Sequence, residues 1–270
     1  MYRKLFSSSS IKRLSKDIFK NNAIILIVST VIVLAIWFVG IYLALIVETF
    51  TATAATIICL CIFSILFFAP IFMGFLRYIW RLISGVTDNP ITLFYYFSEK
   101  KLYFKVLKFT LSLGIRAAVC YLIFYIPIFV LNIITGTRIY EALNIPVPMW
   151  TFNLSNLAAF LRFLSIIATL ISVLKLYLAP MLFVADENID VAEAVHLSNV
   201  ISKRTIIDFI FLGLSFAGWI LLSFLSLPLI FTLPYMIAAY LIHSSAAVDA
   251  FNKEISRANY DDIPTFIAGV

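Results

Sequence analysis

The chain has 270 residues, a net charge of +6 and a mean hydropathy of +1.05, with 63% hydrophobic and 13% charged residues. Soluble domains are roughly 45–50% apolar and about 25% charged, so this composition excludes a water-soluble core and leaves an integral membrane protein. The basic residues flank apolar stretches, which reads as headgroup anchoring and excludes nucleic acid as their partner.

The first element is a basic amphipathic segment. Ser10–Asn22, SIKRLSKDIFKNN, places Ile11, Leu14, Ile18 and Phe19 on one helical face and Arg13 and the lysines on the rest. This is the pattern of a helix lying on an anionic inner leaflet. Residues 1–22 therefore form an interfacial segment, 23–252 a membrane domain, and 253–270 a short cytoplasmic tail. Ala23–Val47 is 25 residues of unbroken apolar character, longer than the 7–15 residues, roughly, of a signal-peptide core, and reads as a retained first span.

A crossing helix needs about 20 apolar residues. Six stretches qualify: 23–47, 51–76, 109–134, 157–184, 207–226 and 229–250. Cys59, Cys61 and Cys120 fall inside them without C-x-x-C spacing and read as small buried hydrophobes rather than a redox or metal site. The connections at 48–50, 135–156 and 227–228 are too short for an extracellular enzyme. The positive-inside bias then sets the orientation. Arg3, Lys4, Lys12, Arg13, Lys16 and Lys20 precede span one, and Arg77, Arg81, Lys100, Lys101, Lys105 and Lys108 lie between spans two and three. Lys203 and Arg204 lie between spans four and five, and Lys253 and Arg257 follow span six. Against these sixteen, the other side has only Arg138, so both termini are expected in the cytoplasm of a multi-pass cell-membrane protein.

Between spans four and five, Asp190–Arg204 reads as a second interfacial helix, an elbow. Asp190 and Glu193 form a D-x-x-E variant of the capping box, and Val191, Ala194, Val195, Ser198 and Ile201 make a weakly apolar stripe. APIFM (69–73) and APMLF (179–183) end two spans, and each precedes a polar turn, a connecting helix and a basic pair. This is either a duplicated hairpin or coincidence.

Four polar residues fall at similar depth toward the inner leaflet: Arg116, Lys175, Ser215 and His243, with Tyr177 nearby. Arg116 lies some eight residues inside span three, about 10–12 Å at 1.5 Å per residue. Charges there cost roughly 2.5–3.5 kcal/mol each on insertion scales. Two readings stand: a cytoplasm-facing cavity that binds an anion such as a lipid headgroup, or snorkelling side chains with interhelical ion pairs. In span five, Gly213, Ser215 and Gly218 have the small-residue pattern of a tight helix seam, with Trp219 burying its N–H mid-span. Pro234 fits the start of span six, and Tyr235 an outer-interface anchor. His196 and His243 lack a metal motif or a carboxylate partner, and neither a nucleophile elbow nor a phosphate loop occurs. No catalytic residue, metal or cofactor is expected.

The C-terminal half resembles a bacterial family of integral membrane proteins catalogued as domain of unknown function 975. LYLAPMLFVADENIDVAEAVHLS (176–198), LSFAGW (214–219), LPY (233–235) and AY (239–240) carry the resemblance. The family pattern has an aspartate after span four, matched by Asp186, and an acidic-alanine helix leading to a serine, matched by Glu193, Ala194 and Ser198. Its Ser-Phe-x-x-Trp core is matched by Ser215, Phe216 and Trp219. The basic start, IKRLSKDIFKNN, is similar to the family's opening. One departure is Lys203, where the family usually has glycine. The resemblance implies six spans and no chemistry. The family pattern is loosely similar to the membrane portion attached to some glycerophosphodiester phosphodiesterases, but no hydrolase domain is legible here.

The expectation is an all-α, six-span membrane bundle without catalytic function. It binds lipids, anionic inner-leaflet lipids foremost, or a membrane protein partner. A small-molecule or lipid transporter working through the inner polar layer is the alternative.

Overall fold

A computed structural model describes residues 8–50, 53–135, 150–223 and 228–257. In chain order the elements are α1 (Ser8–Asn21), α2 (Ala23–Phe50), α3 (Thr53–Phe63), a π-helical turn (Ser64–Phe68), α4 (Ala69–Ile83) and a 3-10 helix (Pro90–Phe97). Then follow α5 (Lys100–Thr135), α6 (Trp150–Leu174), α7 (Ala179–Ala185), α8 (Val191–Ser215), α9 (Ala217–Ser223) and α10 (Leu229–Arg257). There is no strand among the described residues. Five segments are long and apolar enough to cross a membrane: Ala23–Thr49, Thr53–Ile83, Lys100–Val130, Asn156–Ala185 and Leu229–Glu254. The pair α8–α9, bent by 51°, makes a sixth when taken as one span. This is the all-α polytopic membrane protein that the composition demands. The loop at 136–149, with Arg138, Pro146 and Pro148, and the turn at 224–227 lie outside the described residues.

The chain divides into two compact units, Met1–Thr110 with Leu178–Val270, and Leu111–Tyr177. In the first, α2 and α3 form a hairpin. Trp37 meets Phe68 at 4.7 Å between ring centroids, and Gly40 lies so close to Phe63 that an added Cβ would be 2.2 Å from its Cε1. The π-helical turn ends at Ala69–Pro70, where α4 begins. Pro70 has no N–H for the carbonyl one turn back; the Leu66 carbonyl takes the Tyr103 hydroxyl instead, at 3.0 Å. The second Ala-Pro pair, Ala179–Pro180, likewise restarts a helix after a break, the turn at 175–178. The two similar pentapeptides thus begin α4 and α7, the second still at the end of its candidate span Asn156–Ala185, and these two helices pack together.

α4 ends on Gly85, whose φ of +83° lies where side-chain-bearing residues are rare. The chain returns as the 3-10 helix, capped by the Asn89 side chain, which accepts from the Ile91 amide at 3.2 Å. Gly74 lets this helix lie directly on α4: a Cβ there would fall 2.0 Å from the Leu93 carbonyl oxygen. Around the contact Phe75, Tyr78, Ile79, Leu93, Val106 and Leu178 are fully buried.

The second unit is the long α5 from residue 111 together with α6, and most of its apolar side chains are exposed. That is a lipid-facing surface, since lipid tails are as apolar as leucine. Buried hydroxyls in both units bond to carbonyls of their own helix, Ser29 to Ile25 at 2.8 Å, Thr30 to Leu26 at 2.7 Å and Ser165 to Arg162 at 2.8 Å.

Three expectations for the C-terminal hairpin are corrected. Gly213 and Gly218 are not a contact seam, because an added Cβ at either meets nothing within 4 Å. The close approaches are made by Gly40 and Gly74 instead. Trp219 is 47% exposed rather than buried at mid-span. Pro234 lies inside α10, which begins at Leu229, so the Ile230 carbonyl has no intrahelical donor one turn on.

Candidate functional site

Two groups of functional side chains form in the first unit, one foreseen in part and one missed. The missed group is built on Arg77. Six residues before the end of α4, Arg77 is only 7% exposed. Its guanidinium carbon sits 3.7 Å from the centre of the Tyr95 ring, and it forms an ion pair with Glu187, just past α7. A buried charge persists only when paired and hydrogen-bonded, and the 3-10 helix and the α7–α8 connection supply that pairing. Burial pushes the Glu187 carboxyl up, but the Arg77 guanidinium and the Tyr95 hydroxyl outweigh it and hold it below the usual carboxylate range. Burial pushes the Tyr95 and Tyr96 hydroxyls up, against the pull of Arg77. Both stay neutral donors at physiological pH.

Next to this core the surface carries a cleft of about 510 Å3, lined by Lys101, Lys105 and Lys108 on α5 and by Glu187, Asn188 and Asp190 opposite. Lys105 donates to the Glu187 carbonyl and lies 5.5 Å over the Phe183 ring. Lys108 lies 3.5 Å from Asp190. Asp190 occupies the N-cap of α8 in extended backbone but makes no capping hydrogen bond of good geometry. The Val191 amide, then Lys108, nevertheless hold its carboxyl below the usual range. The capping box with Glu193 is therefore positional only. Asp186 ends α7, its side chain accepting from the Asn188 amide at 2.8 Å, and Ser198 is fully buried on α8.

The second group joins the N-terminal helix to the C-terminal hairpin. Ile11 of α1 is buried with Leu212, Phe216, Ala239 and Ile242, and Ile18, Ile83, Tyr235 and Met236 pack around them. Lys12 donates to the Ser215 carbonyl at the α8–α9 bend and lies 4.6 Å over the Phe216 ring. The Tyr235 hydroxyl reaches the Lys12 carbonyl at 3.4 Å, and its ring meets Trp219 edge-on at 6.5 Å. Ser215, Phe216, Trp219 and Tyr235, singled out in the sequence, thus come together. They surround a basic helix rather than packing span against span. Tyr235 shares this cluster with Ile11 and Ile83 and so packs against the N-terminal helix.

The residues of the proposed polar layer are drawn from both units. Arg116, Lys175 and Tyr177 belong to the second unit and Ser215 and His243 to the first. Arg116 and Lys175 are exposed, Lys175 within the turn between α6 and α7, and Tyr177 is buried. The Ser215 hydroxyl bonds to the Leu212 carbonyl at 2.6 Å. His243 is fully buried on α10, its ring 5.8 Å from that of Phe209. The missed group had one signal in the sequence: Arg77 is a cation inside an otherwise apolar run, and Glu187 is the acid after the next break. No family model, curated protein or solved structure matches the chain.

Proposed function

We propose that the chain is a non-enzymatic membrane module that holds anionic phospholipid at the inner leaflet, with both termini in the cytoplasm. One observation carries this reading: α1 is docked through Ile11 and Ser15, both buried, while Arg13, Lys16 and Lys20 are exposed together with Leu14. Each basic side chain near an anionic surface contributes about 1 kcal/mol of attraction, and a helix clamped by the Lys12 contacts holds three of them in fixed positions. Two further features support the reading. The Ser15, Ser29 and Thr30 hydroxyls bond to carbonyls of their own helices, and the cationic residues gather on the side that the positive-inside bias makes cytoplasmic. The resemblance to the family of domain of unknown function 975 belongs to this proposal as well; it adds spans and no chemistry.

A transporter is the second reading. It draws on the charged cleft between Lys101, Lys105, Lys108 and Glu187, Asp190.

The test is native mass spectrometry of the protein released from nanodiscs of equal phosphatidylglycerol and phosphatidylcholine. The module reading expects phosphatidylglycerol to be retained in clear excess. Equal retention of the two lipids refutes it.

A further inference from the structure

Beside the Lys12 clamp lies a pocket of about 290 Å3, lined by Lys16, Phe19, Trp219, Phe231, Thr232 and Tyr235. Four of the six are aromatic, and the floor is closed by Thr232, whose hydroxyl lies 2.7 Å from that of Ser223 across the hairpin. The rim carries Lys16, which forms no ion pair among the described residues. One turn earlier, Lys12 is already engaged by the Ser215 carbonyl and the Phe216 ring, so the two lysines have different roles: Lys12 holds the helix in place and Lys16 offers its charge outward. Arg13 and Lys20 add positive charge along the same exposed surface.

We propose that this pocket is a discrete site for one anionic glycerophospholipid, an acyl segment lying among Phe19, Trp219, Phe231 and Tyr235 and the phosphate on Lys16. The inference rests on the lipid-binding reading above and locates it. Three features of the pocket select this occupant. An apolar wall beside a lone cation matches an amphiphile with an anionic head, and a zwitterionic head gains less there because its own cation faces Lys16. The size is at the low end of ligand pockets, which run from about 300 Å3, and fits one chain segment rather than a folded partner. A Trp and a Tyr beside lysines are the residues of the headgroup boundary, where amphipathic rings settle. The pocket lies beside the 51° bend between α8 and α9, where Trp219 of α9 meets Tyr235 of α10 edge-on at 6.5 Å.

The experiment uses the full chain in the same phosphatidylglycerol–phosphatidylcholine nanodiscs, counting lipids that survive gentle activation. Wild type is expected to keep one phosphatidylglycerol that resists removal. Lys16→Glu is expected to cut that occupancy about fivefold or more, at least the weight of one lysine at an anionic surface, and Phe231→Ser to cut it by a similar factor through lost apolar contact. Lys16→Arg restores it, and Lys253→Glu, an equal charge change elsewhere, leaves it intact. Lys16 and Phe231 are exposed, and a melting temperature on each variant confirms that the fold survives. Retention of the lipid by Lys16→Glu and Phe231→Ser, or equal loss in Lys253→Glu, overturns the pocket while leaving general lipid binding standing. A polypeptide held in place of lipid also overturns it. No excess of anionic lipid on wild type removes the broader reading.

Discussion

Gly74→Ala tests how the Arg77 group is assembled. The added Cβ would sit 2.0 Å from the Leu93 carbonyl oxygen and 2.8 Å from its carbonyl carbon, where ordinary contacts are above about 3.4 Å. The obstacle is backbone, so no rotamer change relieves it; the 3-10 helix itself must move by more than an ångström. Overpacking of this kind costs typically about 1–3 kcal/mol, and a backbone obstacle belongs at the upper end. Replacing a helical glycine by alanine returns up to about 1 kcal/mol of propensity, which leaves a net loss of about 2 kcal/mol. Gly213→Ala is the matched control, because its Cβ meets nothing within 4 Å; only the propensity gain applies, and the variant is neutral or up to about 1 kcal/mol more stable. The assay is unfolding in mild detergent by titration with a denaturing one, read by circular dichroism. Gly74→Ala should fall below wild type and Gly213→Ala should not. A Gly74→Ala protein as stable as Gly213→Ala would refute the direct seating of the 3-10 helix on α4, and with it the positions of Tyr95 and Tyr96.

Glu187→Gln leaves Arg77 buried without its counter-charge. Removing one partner of a fully buried pair costs about 3–5 kcal/mol and of an exposed pair about 0–1; with Arg77 buried and Glu187 half exposed, the expected loss is about 1–2 kcal/mol. Arg77→Met with Glu187→Gln should cost less than the two singles added, by about 1 kcal/mol, in a double-mutant cycle. The pH dependence has a definite sign. The folded-state carboxyl of Glu187 is lowered, so its contribution is fully present above the unfolded value of about 4.3 and is lost as pH falls through the lowered folded value. The gap between wild type and Glu187→Gln should stay constant from pH 8 to 6 and close on acidification below about 4.

Apolar length and lysine position depend on composition alone, so the spans and their bias could be read one residue at a time. Arg77 with Glu187 could not. Its logic is a buried cation meeting an acid 110 positions later, and only the break before Ala179–Pro180 brings them together. The glycines show the same limit. Gly213 and Gly218 have seam-like spacing but face open space, while Gly74, unremarked in the sequence, touches a backbone carbonyl. Spacing along one helix identifies which face is small; it does not say whether another helix lies against that face. Phe216 stands out only through the resemblance and Tyr235 as an interface anchor, and neither pattern points to their partner Lys12 on α1, more than 200 residues away in sequence.

The level of α1 bears on how the C-terminal hairpin meets the membrane. Ile83 ends the second span beside lysine- and arginine-bearing segments, and Ile11 lies in the basic helix before the first; both pack on the cluster containing Phe216, with Tyr235. The other end of α8 starts at Val191, four residues after Glu187, which pairs with Arg77. Arg77 and Ile83 are six residues apart on α4, about 9 Å along its axis. α8 spans 25 residues, about 37 Å at the same rise. The helix is long enough to join the two contacts. Because α1, the bend at Phe216 and Tyr235 share one cluster, the expected position of the hairpin beyond the bend is on the side of α1. A cysteine at Leu221, 69% exposed, distinguishes this from a full crossing. With the native cysteines replaced by alanine, an impermeant maleimide added to intact cells should label a cysteine at position 142 and leave Leu221→Cys unlabelled until the membrane is opened. Equal labelling of the two from outside would place the hairpin tip across the bilayer and separate Tyr235 from the basic helix.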